Sequence, residues 1–270
     1  MLVNNEIEIE FLHFMPLVPL KKNKHGAEVR PIGITETIRK IVAHIWLAEV
    51  RKRAKKVLSP VQYGCLFSAG GEAMIHEFQL ELEKDPSMLW KYDIKNFFNE
   101  IKRVELVRAA ERLLGDSFGF HVACLLEKVT EYILQGQNGT SHSHFTIDGT
   151  IQGDVYSTLL ACLVLIRAQH EFLSIMKCVY PNFTVVGAPS ADFDLSQLPE
   201  QLRQLVNRLP SEEAVFADVC EHRQRKGISR FLMKNAILSL RRYVDDMTWK
   251  CPNLLSDFSF AILNHLLVPI

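Results

Sequence analysis

Residues 237–250 read Ile-Leu-Ser-Leu-Arg-Arg-Tyr-Val-Asp-Asp-Met-Thr-Trp-Lys. Two short apolar stretches, Ile237–Val244 and Met247–Trp249, flank the pair Asp245-Asp246. That pattern predicts two strands with the acidic pair at the tip of a hairpin. Tight hairpin loops favour positive φ, where Asn-Gly or Asp-Gly is the unstrained choice. Two adjacent carboxylates also repel one another, and a divalent cation would relieve the repulsion. Working outward, Leu89 to Ile94 alternates in period two. Trp90, Tyr92 and Ile94 share one face, while Lys91 and Asp93 share the other, as on a half-buried strand. Taken alone, Asp93 reads as a turn or cap residue. With 245–246 it makes three Asp on two neighbouring strands, the oxygen donors that a pair of Mg²⁺ ions (or Mn²⁺) takes. Such ions use a few carboxylates and complete their shells with water and substrate phosphates.

The rest of the chain supplies a mixed α and β pattern around these strands. Residues 17–34 form two extended pieces about a polar turn, with Pro31 biasing Arg30 toward extended backbone. From Thr35 the period becomes helical, with Ile38, Ile41, Val42, Ile45 and Ala48 recurring at three and four residues. Ser59-Pro60 ends that helix, and Gly70-Gly71 precedes another that reaches about Lys84. Helices are expected over 103–114, 120–134 and 157–175, a turn or short hairpin over 136–150, and a closing helix over Ser256–Leu267. The stretch 181–213, with Pro181, Pro189, Pro199 and Pro210, reads as an insertion or surface excursion.

Composition sets the class. The 270 residues are 48% hydrophobic with 16 Phe, enough for one large domain or two modest ones, and a 23% charged fraction excludes a disordered polymer. The longest apolar run, Val155 to Ile166, has the length of a buried core helix, so no membrane partner is expected. Asn4, Glu6, Glu8 and Glu10 are not the start of a signal peptide. The six cysteines never fall closer than sixteen residues apart and form no CxxC. The expectation is therefore an intracellular chain with reduced thiols, nuclear or cytoplasmic. A Gly-x-Ser-x-Gly elbow, a Walker lysine loop and a dinucleotide fingerprint are all missing.

Net charge is zero, yet the charges are segregated. Lys21 to Lys56 holds eleven Lys or Arg against three Glu, a surplus of eight, and Arg223 to Arg242 holds seven with no acid. Such clusters are either solvated helix faces or a positive groove for a polyanion.

Several blocks of the sequence together resemble the reverse transcriptases, and within them the non-LTR retrotransposon type. Tyr243-Val244-Asp245-Asp246 is similar to the family's Y-x-D-D turn, and Leu89 to Arg103 to its D-x-x-N-A-F-N block, with Asp93 at the metal-binding position. Gly149 to Asp154 resembles the Q-G-D motif before the palm helix. Lys22 with Val29-Arg30-Pro31-Ile32 resembles the fingers pattern. Ser59-Pro60-x-Gln62-x-Gly64 and Gly70-Gly71-Glu72-Ala73 through His76 resemble a stretch of the retrotransposon enzymes. These blocks stand in the family's order across most of 17–250.

The resemblance implies an α+β right-hand polymerase fold with an antiparallel palm sheet, helical and extended fingers, and no thumb. Fingers would occupy 1–88 and palm 89–270, with part of 104–150 packing with the fingers and 178–235 inserted. Asp93, Asp245 and Asp246 would be catalytic and would ligate two Mg²⁺ ions. Lys22 and Arg30 would bind the triphosphate of a deoxynucleotide, and Gln152 and Gly153 would shape the pocket of the nascent pair. Phe98 would exclude a 2′-hydroxyl; without the family it is a core aromatic, as Gln-Gly-Asp is a turn. Arg51, Lys52, Arg53, Lys55 and Lys56 would face nucleic acid. The implied activity is RNA-directed DNA polymerisation on an RNA template with a DNA primer, in a core or retroelement fragment. Asp154 is followed by Val155 and Tyr156 where the family commonly writes Pro-Leu, and the chain ends 24 residues after Asp246. A partner chain would then supply the thumb. The alternative is a non-catalytic polymerase-like module that binds RNA or protein.

Overall fold

The computed structural model describes residues 14–21, 29–84, 88–135, 138–189, 193–225, 237–243 and 246–267. In chain order the elements are β1 (Phe14–Lys21), β2 (Val29–Gly33), α1 (Thr37–Leu58), α2 (Gly70–Lys84), β3 (Met88–Tyr92), α3 (Phe97–Glu100), α4 (Arg103–Leu114), α5 (Asp116–Leu126), β4 (Thr130–Gln135) and β5 (Ser141–Thr146). They continue with α6 (Ser157–Val179), β6 (Thr184–Val186), α7 (Glu200–Val206), α8 (Glu212–Arg225), β7 (Ile237–Tyr243), β8 (Asp246–Cys251) and α9 (Ser256–Leu267). Two compact units result, Met1–Val57 with Lys95–Val164, and Leu58–Ile94 with Leu165–Ile270.

The first unit holds a sheet of order β2-β1-β4-β5, in which β1–β2 and β4–β5 are antiparallel hairpins and β1–β4 is parallel. Helix α1 forms where expected but buries a different face. Arg39, Ala43, Val50 and Ala54 are inside, while Ile38, Ile41 and Ile45 stay exposed. Two contacts select that face: the Arg39 guanidinium reaches Asp154, and Trp46 stacks on His121 at 5.1 Å and tilts against Phe118 at 5.9 Å. In α4, Leu106, Ala110 and Leu114 make a buried stripe at four-residue spacing. Arg103 is buried at its start and donates to the Leu126, Lys128 and Gly149 carbonyls and to Thr130 Oγ1. The expected helix over 120–134 stops at Leu126, and Thr130–Gln135 is a strand. Thr130, Tyr132 and Ile133 suit a pleated sheet, and pairing on both edges outweighs local helical preference.

The second unit holds a sheet of order β3-β8-β7-β6. Its β3–β8 and β8–β7 pairs are antiparallel, whereas β6 joins β7 in parallel, so the sheet is mixed rather than wholly antiparallel as expected. The parallel strand comes from the stretch read as a surface excursion, which also buries Leu198, Leu202 and Val206. Gln62 bridges to Arg242 in parallel, and Arg242 N and Tyr63 N exchange hydrogen bonds with Val61 O and Arg242 O. One face of the sheet carries Trp249, fully buried against Phe172 of α6 with ring centroids 5.0 Å apart. On the other face Arg241 lies over the Phe78 ring of α2 at 4.7 Å.

Helix α6 is, by length and composition, apolar enough to cross a membrane, but 83% of its most apolar window is buried within the protein. That is how a core helix behaves, and it fits the expected role of this segment. None of the six cysteines is in a disulfide; Cys65, Cys162 and Cys251 are buried and Cys178 is exposed.

Candidate functional site

In the second unit, Tyr243, the last residue of β7, pairs with Asp246. The hairpin is therefore the one the sequence predicts, with Asp246 as the first residue of β8 rather than in the turn itself. Val244 and Asp245 lie outside the described residues. On the other side of β8, β3 pairs Lys91 with Thr248 and Tyr92 with Met247. Asp93 follows one residue later, just past the end of β3 and of the paired register. Opposed residues of an antiparallel pair share a face. Lys91, Asp246 and Thr248 thus occupy one face, and Trp90, Tyr92, Met247 and Trp249 the other. Asp93 is exposed. Lys91 Nζ lies 3.0 Å from Asp246 Oδ1, with the two side chains 67% and 43% exposed. Tyr92 stacks on Phe260 at 5.3 Å, and burial pushes its hydroxyl up to about 12.

Behind this end, β7 is pinned to α2 by a polar network. Arg241 Nη2 reaches Glu81 Oε1 at 2.6 Å and Glu77 Oε2 at 3.0 Å, and Ser239 Oγ donates to Glu81 Oε2 at 2.6 Å. Tyr63 donates to Glu77 at 2.5 Å. Burial, then that hydrogen bond, raise the Tyr63 hydroxyl to about 12. Arg241 and Arg242 are buried, so this end of the second basic cluster is no surface groove; residues 226–236 lie outside the described residues.

In the first unit, the loop 149–153 is laced to two elements. Gly33 N donates to Gln152 O at 2.8 Å, Thr150 N to Phe98 O at 2.7 Å, and Gly149 N to Ile101 O at 2.7 Å. Gly153 sits at φ 106°, and a Cβ there would come within 2.7 Å of Gly33 O, so the approach to β2 requires glycine. Asp154, the third residue of the motif, is buried and ion-paired with Arg39, Nε to Oδ2 at 2.8 Å. Its Oδ1 accepts from Tyr156 N at 3.1 Å just ahead of α6. Sequence reasoning missed this pair; an acid shortly before a helix start was the available signal, and nothing marked Arg39.

Of the expected nucleotide-binding residues, Gln152 lines a cleft of about 230 Å³ together with Leu17, Pro31, Asn99, Tyr132 and His144. Arg30 is exposed on β2, on the face opposite Pro31 because successive strand residues alternate. Phe98 is half-buried and meets Phe97 edge-on at 5.9 Å. Lys22 lies outside the described residues. On α1, Arg51, Lys52, Arg53 and Lys56 are exposed and Lys55 is half-buried. Arg53 also donates to Leu114 O at 3.2 Å.

No protein-family model matches the chain, and no curated protein does. Solved structures do. Telomerase from Candida albicans, in complex with the TWJ fragment of telomeric RNA, aligns over 95% of this chain and 39% of its own at 10% identity, with a TM-score of 0.52. Apo telomerase from Candida tropicalis, truncated from its C-terminal domain, aligns over 96% of this chain and 47% of its own at 11% identity, with a TM-score of 0.46. The chain spans less than half the length of either. At 10% identity, the first likeness is one of fold alone: this chain's α+β fold is like that of part of the Candida albicans telomerase.

Proposed function

We propose that this chain is a reverse-transcriptase-like polymerase core that adds deoxynucleotides to a primer 3′ end on an RNA template. The observation that supports the reading is the pairing of β3 with β8: Asp246 is the first residue of β8, and Asp93 follows directly after the last residue of β3 in the chain. Carboxylates are hard oxygen donors, and this donor set suits Mg²⁺ or Mn²⁺ better than a thiolate- or imidazole-binding metal. Asp93, Asp245 and Asp246 would hold the ions, which supply Lewis-acid stabilisation to a transferring phosphoryl group. Among the described residues no group of three His, Cys, Asp or Glu is assembled, and the third carboxylate of this proposal is Asp245.

The chain's other residues position and bind. Lys22 and Arg30 carry positive charge for a triphosphate. The Phe98 ring leaves no room for a 2′-hydroxyl, the group that separates ribo- from deoxyribonucleotides. Gln152 and Gly153 form the wall of the base-pair pocket, with Gly153 allowing the backbone to come close. The fold likeness is to telomerase, a reverse-transcriptase-related polymerase, and the sequence blocks are similar to the retrotransposon enzymes; both share this chemistry.

Extension of a primed RNA template with dNTPs and Mg²⁺ or Mn²⁺ tests the proposal. We expect stepwise extension that Asp93→Asn and Asp246→Asn each reduce at least a hundredfold. Extension no better than that of the two variants rejects it. The exposed basic row of α1 favours a second reading, a non-catalytic module that binds RNA. In that case RNA binding survives Asp93→Ala, and no extension is seen.

A further inference from the structure

We propose that Lys91 is a built-in counter-ion of the carboxylate pair, an ammonium that holds Asp246 in the metal-free protein and that an arriving divalent ion displaces. This rests on reading Asp93 and Asp246 as metal ligands. Lys91 Nζ is 3.0 Å from Asp246 Oδ1, and Asp93 lies two residues after Lys91, just past the end of β3. Lys91 and Asp246 therefore meet on one face at one end of the sheet. Two carboxylates brought together repel, and a cation between strands offsets the repulsion.

The sheet carries two kinds of cation, and they behave differently. Arg241 is 5% exposed and fixed between Glu77 and Glu81, so it is structural. Lys91 is 67% exposed on a flexible stem. A compact ammonium of that kind can leave its partner for water at small cost. A divalent ion on Asp246 is repelled by the ammonium beside it, so the ion pair has to open as the ion arrives. Lys91 consequently lowers the affinity of the carboxylates for divalent ions and holds the sheet end together in their absence.

Mn²⁺ titration of the full chain at fixed ionic strength, with free Mn²⁺ read by its electron paramagnetic resonance signal, tests this without reference to activity. Wild type, Lys91→Met, Lys91→Gln, Lys91→Arg and an Asp93→Asn/Asp246→Asn double variant are compared, and thermal melting in chelator shows that each is folded. Lys91→Met and Lys91→Gln should bind Mn²⁺ about two- to fivefold more tightly, the scale of an exposed ion pair. Both should also melt lower in chelator and gain more from Mn²⁺ than wild type. Lys91→Arg keeps a cation and should bind as wild type does. Unchanged or weaker binding in Lys91→Met and Lys91→Gln overturns the inference, as does Lys91→Arg binding as tightly as they do. If wild type binds no more Mn²⁺ than the double variant, the carboxylate reading fails and the inference with it. If wild type exceeds the double variant while Lys91 substitutions change nothing, the inference alone fails.

Discussion

Asp154 spends both of its oxygens inside the protein, one on Arg39 and one on the backbone N–H of Tyr156. Removing one partner of a buried pair leaves the other charge without compensation. Asp154→Asn should therefore cost roughly 3–5 kcal/mol in urea unfolding, with a smaller loss when Arg39→Met is added. His121 is the pH-sensitive neighbour. It is buried, bonded to Tyr156 Oη at 2.9 Å and stacked on Trp46, and it faces Arg39 and Asp154. Burial, then the Arg39 charge, bring it down from 6.5 to about 4, with Asp154 opposing. The folded protein thus holds His121 neutral where the unfolded chain would protonate it. Stability is unaffected above the ordinary histidine value and falls as pH drops from 6.5 toward 4. The loss by the lower end is about 3 kcal/mol. Urea midpoints measured across that range should fall for wild type and flatten in His121→Phe. A third prediction at this scale concerns Phe98. If its ring is the barrier to ribonucleotides, Phe98→Ala should lower discrimination against rNTPs about tenfold or more in primer extension, while Phe97→Leu, in the buried neighbour, should not.

Element by element, the parts that carry the site were the most legible. The strand that ends one residue before Asp93 and the paired strands β7 and β8 follow period-two patterns, and local alternation decides a strand when one face is buried. Hence β3, β7 and β8 fall within a residue or two of expectation. What the sequence could not show was anything decided by a distant partner. Thr130–Gln135 became a strand because β1 and β5 flank it, and β6 joined β7 across more than fifty residues of chain. The face of α1 was chosen by Arg39 and Trp46, against a run of isoleucines that pointed elsewhere. The α2–β7 clamp was equally hidden, since Glu77, Glu81 and Arg241 have no sequence relation that announces them. That clamp makes its own prediction. Arg241→Met should destabilise by about 3 kcal/mol by stranding Glu81. Pairing it with Glu81→Leu should cost less than the two single changes added, by about 1 kcal/mol or more in a double-mutant cycle.

At the scale of the whole molecule, a net charge of zero conceals how the cations are used. Arg39, Arg103, Arg241 and Arg242 are buried and hold structure together, so a count of Lys and Arg along the chain overstates what a polyanion could meet. Among the described residues of the first cluster, Lys21 and Arg30 are exposed on the strands, and Arg51, Lys52, Arg53 and Lys56 form an exposed row at the end of α1. If that row meets an RNA backbone, its contribution is electrostatic and independent of sequence, because neutralising phosphates releases condensed counter-ions. For a single strand, each phosphate no longer neutralised reduces the slope of log K against log salt by about 0.7. Arg51→Gln, Lys52→Gln and Arg53→Gln combined should therefore lower that slope by about 2 and weaken binding alike for templates of different sequence. Thermal melting should show the variant folded, since the structural tie in this trio is that of Arg53 to Leu114 O. Fluorescence anisotropy with a labelled single-stranded RNA between low and moderate salt measures both quantities. An unchanged slope would mean that the row is a solvated helix face and that RNA, if bound, is held elsewhere.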